Sequence, residues 1–483
     1  MCAALAPDAL ARKPAWTRRD GAAPVVARRL LSIAAEAWVN DMTSLPAGPR
    51  GFLWVNFESF RDPLGAAARW RRKYGDPMTY PPLAGKPLVV TGTPSGIRAL
   101  FTAAPSTLEP ILADRFRAVF GDASVFVLSG EPHTAMRRLL LPPFHGQRMR
   151  DYGHKIRELT LQAAAALAPG SRLVAQDLTH AISLQAIIRL VFGITDPARI
   201  AVATERISAF RRALGGAILP ILLPFLRREL LGFGPWARMQ RATRAMRELI
   251  DGELARSRAA PAGRTDILSL LAAARPEDGD GTGLSDLAIF EQMLALLLAG
   301  HGSTALALTW ALYFLGHEPQ VCERLQAELR GLGPDPEPEA LQRTPLLDAV
   351  CSETLRLRPA VTMTGRQLRA PLGIDGYTLP AGAGVFASIV WAHTNPDVFP
   401  QPERFLPERF LQRTYSPFEY LPFGGGNRRC IGAAFALYEM KIALGTLLRR
   451  FRFELVAQKP VRVLQRELLV PDGPIRLIAR AAP

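Results

Sequence analysis

A long uncharged segment of the sequence, residues 293–316, limits the possible folds of this chain more than any other feature. It reads MLALLLAGHGSTALALTWALYFLG and carries no formal charge when its histidine is neutral. About 20 apolar residues are enough to cross a membrane. However, its centre reads GHGST, which is polar and weakens a helix, and the flanking Glu291 and Glu318 provide no positive charge. We therefore predict a buried central helix with a functional centre, and no membrane span.

The excess of positive charge does not by itself identify a partner. The 483-residue chain has a formal net charge of +16, and only six of its 59 basic residues are lysines. Basic proteins attract nucleic acids, anionic membranes or acidic proteins, and nucleic-acid sites combine clustered basic residues with aromatic ones. Here the arginines are spread along the chain. We predict solvated helix faces, keep open a basic docking face for an acidic protein, and expect no nucleic-acid partner.

The cysteine content indicates a reducing compartment. The four cysteines are Cys2, Cys322, Cys351 and Cys430. They lack metal-ligand spacing, which argues against a zinc site or a disulfide framework, and no secretory signal is recognised before them. We expect a cytoplasmic protein. Residues 1–44 are predicted to be an extension, partly disordered or a short amphipathic helix, and residues 45–483 a single catalytic domain.

Helical periodicity dominates the rest of the chain. The segment KPLVVTG, residues 86–92, has the pattern of a buried strand. Residues 217–226 are apolar but contain two prolines, so they are predicted to form a loop with short helical turns. Ser285 is predicted to cap the central helix, and Thr344 to cap a later one before a proline at its first position. The pattern indicates a mainly α protein with small β-sheets.

The segment FGGGNRRCIG, residues 423–432, carries the strongest chemical signal. Its three consecutive glycines allow the backbone to turn tightly and to approach a flat group. Cys430 lies where a helical pattern begins, and the unpaired amides and dipole there favour a thiolate. No second ligand is near, so zinc or an iron–sulfur cluster would lack ligands, whereas one thiolate suffices for haem iron. Arg428 is a natural partner for a haem propionate.

This segment resembles the cysteine signature of the cytochrome P450 family, Phe-x-x-Gly-x-Arg-x-Cys-x-Gly. Its fixed positions are filled by Phe423, Gly426, Arg428, Cys430 and Gly432. The resemblance extends from about Leu45 to the C-terminus. It implies the fold of that family, with a long central helix over the haem and the cysteine loop beneath it. It also implies haem b, iron protoporphyrin IX, with Cys430 as the axial iron ligand.

Two further motifs agree with the resemblance. The tetrapeptide ETLR contains Glu353 and Arg356, three residues apart on one helix face. In the family, this pair is completed by the arginine of a Pro-Glu-Arg-Phe motif. The motif occurs twice here, at 402–405 and 407–410. We assign the second copy, and thus Arg409, to the structural brace of the haem loop.

Three basic residues resemble the propionate contacts of the family. His133 and Arg137 stand four residues apart in the segment HTAMRR, so a helix presents them on one face. Arg366 follows the helix that carries the ETLR motif. The resemblance implies that these side chains bind the haem propionates together with Arg428.

The centre of the long helix departs from the family pattern. Where the family has an acid followed by threonine, this chain has Gly302 and Ser303. The family uses that acid and hydroxyl to deliver protons during oxygen activation. Thr304 lies about 100° further around the helix, and His301 either relays protons or packs on the helix exterior. Ordinary proton delivery by these four residues is therefore in doubt, and substrate-assisted protonation or peroxide use stays open.

The resemblance implies a soluble, monomeric haem-thiolate monooxygenase. It would insert one atom of O2 into an apolar small molecule such as a fatty acid, terpenoid, steroid or polyketide. Electrons would come from a separate ferredoxin or flavodoxin-type donor with its reductase. Two alternatives remain: a peroxide-driven or otherwise atypical haem-thiolate oxidase, and a non-catalytic haem-binding sensor. We expect the substrate to be lined by the segment after Leu100, residues 209–226, the helix before Gly300, and residues 360–364.

Overall fold

The computed structural model of the chain describes residues 45–81, 86–144, 146–227, 233–261, 263–275 and 283–482. The predicted N-terminal extension, residues 1–44, lies outside the described residues. Its short amphipathic helix and the division of the chain at residue 45 therefore stay predictions.

Helices make up most of the described chain. The first are α1 Phe52–Arg61, α2 Pro63–Tyr74, α3 Pro94–Thr102, α4 Ala113–Phe120, α5 Gly130–Leu140, α6 Gln147–Ala163, α7 Ala175–Ala186, α8 Pro197–Gly216 and α9 Ile218–Leu222. The others are α10 Pro235–Ala259, α11 Ile267–Ala273, α12 Asp286–His317, α13 Pro319–Arg330, α14 Pro338–Gln342, α15 Pro345–Leu357, α16 Ile389–His393, α17 Glu408–Gln412 and α18 Ala433–Arg450. This confirms the predicted mainly α class.

The strands are short and form small sheets. They are β1 Met78–Tyr80, β2 Leu88–Thr91, β3 Leu108–Pro110, β4 Arg172–Val174, β5 Met363–Leu368, β6 Leu372–Ile374, β7 Tyr377–Leu379, β8 Gly384–Ser388, β9 Phe451–Leu455, β10 Val463–Gln465, β11 Leu469–Pro471 and β12 Arg476–Ala481. One sheet has the order β1-β2-β8-β5-β3 and another β4-β12-β9, beside the hairpins β10-β11 and β6-β7. In the first sheet β2 and β8 are parallel, with Val89 opposite Val385.

The apolar segment identified in the sequence forms the long central helix α12. The Oγ of Ser285 accepts a hydrogen bond from the Ala288 N–H at 3.1 Å, which confirms the predicted cap. The helix has 32 residues and spans about 48 Å. Within the described part of the chain it alone is long and apolar enough to cross a membrane, but 72% of its most apolar 18-residue window is buried inside the protein. Helices α7, α15 and α18 pack against it.

Other local predictions have mixed outcomes. Strand β2 lies within the predicted residues 86–92, and residues 217–226 form α9 and a 3-10 turn at Pro224–Leu226, as expected. Helix α15 begins at Pro345, as predicted from Thr344. Thr344 is the N-cap residue of α15, as predicted, but its side chain makes no capping hydrogen bond. Its hydroxyl donates instead to the carbonyl of Ala340 at 3.0 Å, because the preceding helix α14 offers this acceptor.

Trp310 is the largest fully buried side chain of the core, and it tests how tightly α12 is packed. Its Nε1–H donates to the Leu469 carbonyl at 3.2 Å, and its ring packs edge-on against Tyr313 with centroids 5.4 Å apart. We expect Trp310→Ala to lower the free energy of unfolding by about 3–5 kcal/mol, because it leaves a cavity and an unpaired carbonyl. Chemical denaturation measures this change.

Leu287→Ala is the matched control on the same helix, since Leu287 is 54% exposed. We expect this variant to change the free energy of unfolding by less than about 0.5 kcal/mol. Equal effects of the two substitutions would contradict the packing described for α12.

Candidate active site

The glycine-rich loop lies directly on helix α3. Gly424 and Gly426 both have φ of 65°, a conformation that favours glycine. A Cβ added to Gly425 would lie 2.2 Å from the Phe101 ring, and one added to Gly426 would lie 2.8 Å from the Phe101 carbonyl oxygen. The sequence predicted that this loop closely approaches a flat group. The Phe101 ring is one flat group that requires glycine in the loop. The Cys430 N–H closes the loop by donating to the Phe423 carbonyl at 2.9 Å.

The thiol of Cys430 lies in a recess. The residue keeps an exposed surface, yet burial among protein atoms is the largest influence on the thiol pKa and raises it. A hydrogen bond from the Gly432 backbone, followed by the charges of Arg137 and Arg429, lowers this pKa in part. Helix α18 begins at Ala433, just after the cysteine. The predicted thiolate-favouring environment is therefore present, but in the free protein burial outweighs it.

Four basic residues converge near this thiol without a described acid to neutralise them. His133 on α5 is 3% exposed, and burial, followed by the charges of Arg428, Arg137 and Arg366, lowers its pKa to about 4. Burial also lowers the pKa of Arg366 to about 10, and that of Arg428 to about 10 with help from Arg366 and Arg137. Such mutual repulsion is unfavourable unless an anion binds among the groups.

This set of side chains fits a haem. Arg428 donates to the carbonyls of Val125 and Leu128, and Arg366 donates to the Gly365 carbonyl at 2.8 Å, so both guanidinium groups are fixed by the backbone. A group carrying two carboxylates beside a metal would neutralise the cations and engage the thiol. The structure thus brings together His133, Arg137, Arg366, Arg428 and Cys430, as the sequence analysis expected.

Glu353 is fully buried between two arginines. Its two carboxylate oxygens accept hydrogen bonds from Arg356 Nε and Nη2 at 2.7 and 2.8 Å. Oε1 also accepts from Arg409 Nε at 3.1 Å and from the Leu406 N–H at 2.8 Å. Arg356 donates further to the Pro402 carbonyl at 2.8 Å. These contacts tie α15 to the segment that carries the two PERF copies.

The two PERF copies have different environments. Arg409, from the second copy, is buried and pairs with Glu353. Arg404, from the first copy, is exposed and donates through its side chain to Gln401, while its carbonyl accepts from Arg356. The geometry agrees with the assignment of Arg409 to the brace.

His393 connects this brace to the cysteine loop, and the sequence analysis missed it. Its Nδ1 lies 3.1 Å from the Arg356 carbonyl, while its Nε2 accepts from the Leu421 N–H at 2.9 Å. Burial, followed by the charge of Arg356, lowers the pKa of His393 to about 3, so the ring is neutral and Nδ1 is the donor. The Tyr420 ring stacks on it with centroids 5.3 Å apart. Both bonds join distant residues, so no local pattern marked this histidine.

Helix α12 runs without a break past the predicted oxygen-activation residues. The Ser303 hydroxyl donates to the Ala299 carbonyl at 2.7 Å, and the Thr304 hydroxyl to the Gly300 carbonyl at 3.1 Å. Ser303 is half-buried and lies one turn from the exposed Ala299, whereas Thr304 is buried. Ser303 is therefore the hydroxyl on the open face of the helix, and no irregularity brings Thr304 there.

His301 faces away from Ser303 toward helices α7 and α8. Its Nε2 lies 2.7 Å from Nη1 of Arg211, and its ring lies 5.2 Å from the His180 ring, centroid to centroid. Burial, followed by the charges of Arg211 and His180, lowers the pKa of His301 to about 3. This geometry favours a packed, neutral histidine over a relay near neutral pH. Sequence reasoning missed Arg211, which comes from another helix.

Glu353→Gln tests whether the buried carboxylate holds the brace together. We expect it to lower the free energy of unfolding by about 3–5 kcal/mol, because Arg356 and Arg409 would be left buried without an anion. Denaturant-induced unfolding measures the change. Asp472→Asn is the control, because its pair with Arg462 is exposed and contributes about 1 kcal/mol or less. A Glu353→Gln protein as stable as this control would show that the cluster does not stabilise the fold.

Comparisons with known proteins agree with this geometry. The sequence model of the cytochrome P450 family matches residues 46–479. A Mycobacterium tuberculosis relative named cytochrome P450 135B1 is 33% identical over 445 residues, which cover 90% of this chain and 92% of the relative. Another relative from Mycobacterium bovis, named cytochrome P450 138, is 34% identical over 416 residues, covering 84% of this chain and 89% of the relative.

A solved structure shares the fold. Cyanobacterial CYP120A1, in a structure described as bound to retinoic acid, superimposes with a TM-score of 0.79 and 25% sequence identity. The match covers 91% of this chain and 100% of the cyanobacterial chain. Together with the family match over nearly the whole described chain, these relatives identify the chain as a member of the cytochrome P450 family, a haem-thiolate monooxygenase.

Proposed function

We propose that this monooxygenase inserts one atom of O2 into an apolar small molecule, using haem b and electrons from a separate ferredoxin or flavodoxin with its reductase. The observation that carries this proposal is the recessed thiol of Cys430 beside three arginines, Arg137, Arg366 and Arg428, that form no ion pair with a described acid. That combination matches one thiolate-bound metal and two carboxylates in a single group.

The roles of the residues follow from their positions. Haem supplies, when bound, the redox-active iron that reduces O2 and oxidises a C–H bond. Cys430 would bind that iron as a thiolate, and the three arginines would bind the propionates. His133, whose pKa is about 4, would donate a hydrogen bond as a neutral ring. Ser303, on the open face of α12, would hold a proton at its Oγ for oxygen activation.

An apolar substrate fits the residues that the sequence analysis expects to line the site. Helix α9 and the turn after it belong to that expected lining and carry exposed apolar side chains, among them Leu219 and Phe225, and Leu468 lies beside the centre of α12. The solved relative is described as bound to retinoic acid, and we extend to this chain the coarser property of an apolar substrate. Fatty acids, terpenoids, steroids and polyketides all satisfy it.

The electron donor is proposed to be an acidic protein. Arg429 is exposed next to Cys430, and its charge acts on both Cys430 and Arg137. Complementary charge speeds the encounter of two proteins and orients them. A cytoplasmic location and a monomeric state also belong to the proposal. The described cysteines Cys322 and Cys351 are buried free thiols, as a reducing compartment would have them.

Peroxide-driven turnover is the second candidate, and Gly302 is the observation that favours it. Without an acid at this position, proton delivery from water is impaired, whereas peroxide brings its own protons. Product formation from an apolar substrate library should be compared with a surrogate ferredoxin system and with hydrogen peroxide. Product that depends on the electron donor supports the monooxygenase, and product with peroxide alone supports the alternative. Haem binding with neither product would favour a sensor.

Cys430→Ser tests the iron ligand. We expect it to abolish the absorption band of the reduced carbon-monoxide complex, because that band requires a thiolate ligand. Cys351→Ala is the control, since Cys351 is buried and burial raises its pKa to about 12, so it should keep the band. Persistence of the band in Cys430→Ser would refute the assignment.

Gly302→Asp tests the missing acid. A Cβ at this position would lie 3.5 Å from Arg211 Nη2, so the new carboxylate would face a guanidinium beside the open face of α12. With an uncharged apolar substrate, we expect a larger fraction of the consumed electrons to appear in product, because a carboxylate restores a proton carrier. The ratio of product formed to reduced cofactor consumed measures this coupling. An unchanged ratio would mean that the absent acid does not limit turnover.

A further inference from the structure

Arg211 on helix α8 is a half-buried guanidinium with few partners. Its Nη1 lies 2.7 Å from His301 Nε2. Arginine only donates, so the imidazole must accept at Nε2 and carry its proton on Nδ1. The histidine is therefore neutral, and it fixes the guanidinium without neutralising its charge. No hydrogen bond from Arg211 Nε or Nη2 to another described residue accompanies this contact.

Glu467 is the acid that most affects Arg211, but the two form no ion pair. Burial lowers the pKa of Arg211, and among the described residues the charge of Glu467 raises it in part. Glu467 lies in the turn between β10 and β11. Its Oε1 would be 3.2 Å from a Cβ added to Gly215, one turn beyond Arg211 on the same face of α8. The two side chains are close enough to interact but form no ion pair, so Glu467 offsets the positive charge of the guanidinium only in part.

Gly302 leaves a space in front of this guanidinium. A Cβ added there would meet Arg211 Nη2 at 3.5 Å and Leu468 Cδ1 at 3.6 Å, with no other heavy atom nearer. Gly302 is adjacent to Ser303, which lies on the open face of α12. Any side chain at position 302 would project toward Arg211. The glycine thus leaves a narrow gap, with a cation on one side and a leucine on the other, that a single Cβ would fill.

We propose that Arg211 binds a carboxylate at one end of the apolar substrate, next to Gly302. The inference rests on the proposed function, since it names the substrate class of the same site. A carboxylate matches the fork of a guanidinium and can accept from Nη2 and Nε together. Leu468 would contact the apolar part next to the carboxylate. The substrate itself would then bring an acid close to Ser303, where this helix has none.

A series of ω-imidazolyl alkanoic acids and their methyl esters provides the probe. The imidazole binds the haem iron and shifts its main absorption band, so spectral titration gives a dissociation constant for each compound whatever the true substrate is. At the chain length that reaches Arg211, we expect the acid to bind about 10-fold to 100-fold more tightly than its ester, as a charge-assisted pair implies.

Variants of the holoenzyme assign this preference to Arg211. Arg211→Met should reduce it to near unity while leaving ester affinity within about 2-fold. Arg212→Met, which removes the exposed neighbouring guanidinium on α8, is the matched control and should keep the preference. Gly302→Asp should abolish the preference, because its own carboxylate would occupy the guanidinium. Glu467→Gln should preserve or increase the preference, because it removes a competing anion.

Three results would overturn the inference, and the first two are acids and esters that bind equally to the natural protein at every chain length, and an acid preference that survives Arg211→Met. Equal losses of acid and ester binding in Arg211→Met would also overturn it, since they indicate a structural role. A different result is expected if the proposed function is wrong. In that case the reduced carbon-monoxide band is absent and even the esters cause no spectral shift, and the inference about Arg211 is then wrong as well.

Discussion

The buried carboxylate of Glu353, shared by two guanidinium groups, is the interaction on which the rest of the site depends. A charge in the protein interior is tolerated only when it is paired and fully hydrogen-bonded, and this one accepts from Arg356, Arg409 and a backbone amide. Since Arg356 also donates to backbone carbonyls, the pair fixes a long coil that has little regular structure of its own. His393 then connects this coil to the start of the cysteine loop, because its Nε2 accepts from the Leu421 N–H.

The cations around Cys430 show the opposite arrangement. Arg366 and Arg428 donate to carbonyls but contact no described carboxylate. The charge of Arg366 disfavours the protonated form of Arg428 and lowers its pKa. A stable fold gains nothing from such a cluster, which is why it indicates a bound anion. Arg211 likewise forms no ion pair with a described acid, and the neutral ring of His301 holds it in place. Cations that form no ion pair with a described acid thus mark both places where a partner is expected.

The sequence was informative where chemistry is local. The uncharged run and Ser285 predicted the central helix because its apolar composition and its cap are features of neighbouring residues, and the cysteine signature predicted the loop because its spacing is restrictive. Contacts between distant segments left no such pattern. Phe101, His393 and Arg211 reach the site from other elements, and the hydroxyl of Thr344 found an acceptor in a preceding helix. The pKa of Cys430 was also not readable, because burial depends on the whole fold.

The contact of the glycine loop with Phe101 has a consequence for how the holoprotein is assembled. The ring and carbonyl of Phe101, the bond from Leu421 to His393 and the Cys430–Phe423 bond are all made by the polypeptide alone. These contacts join protein atoms only, so they constrain the loop without help from the porphyrin. Each such constraint lowers the conformational entropy that binding of the cofactor costs.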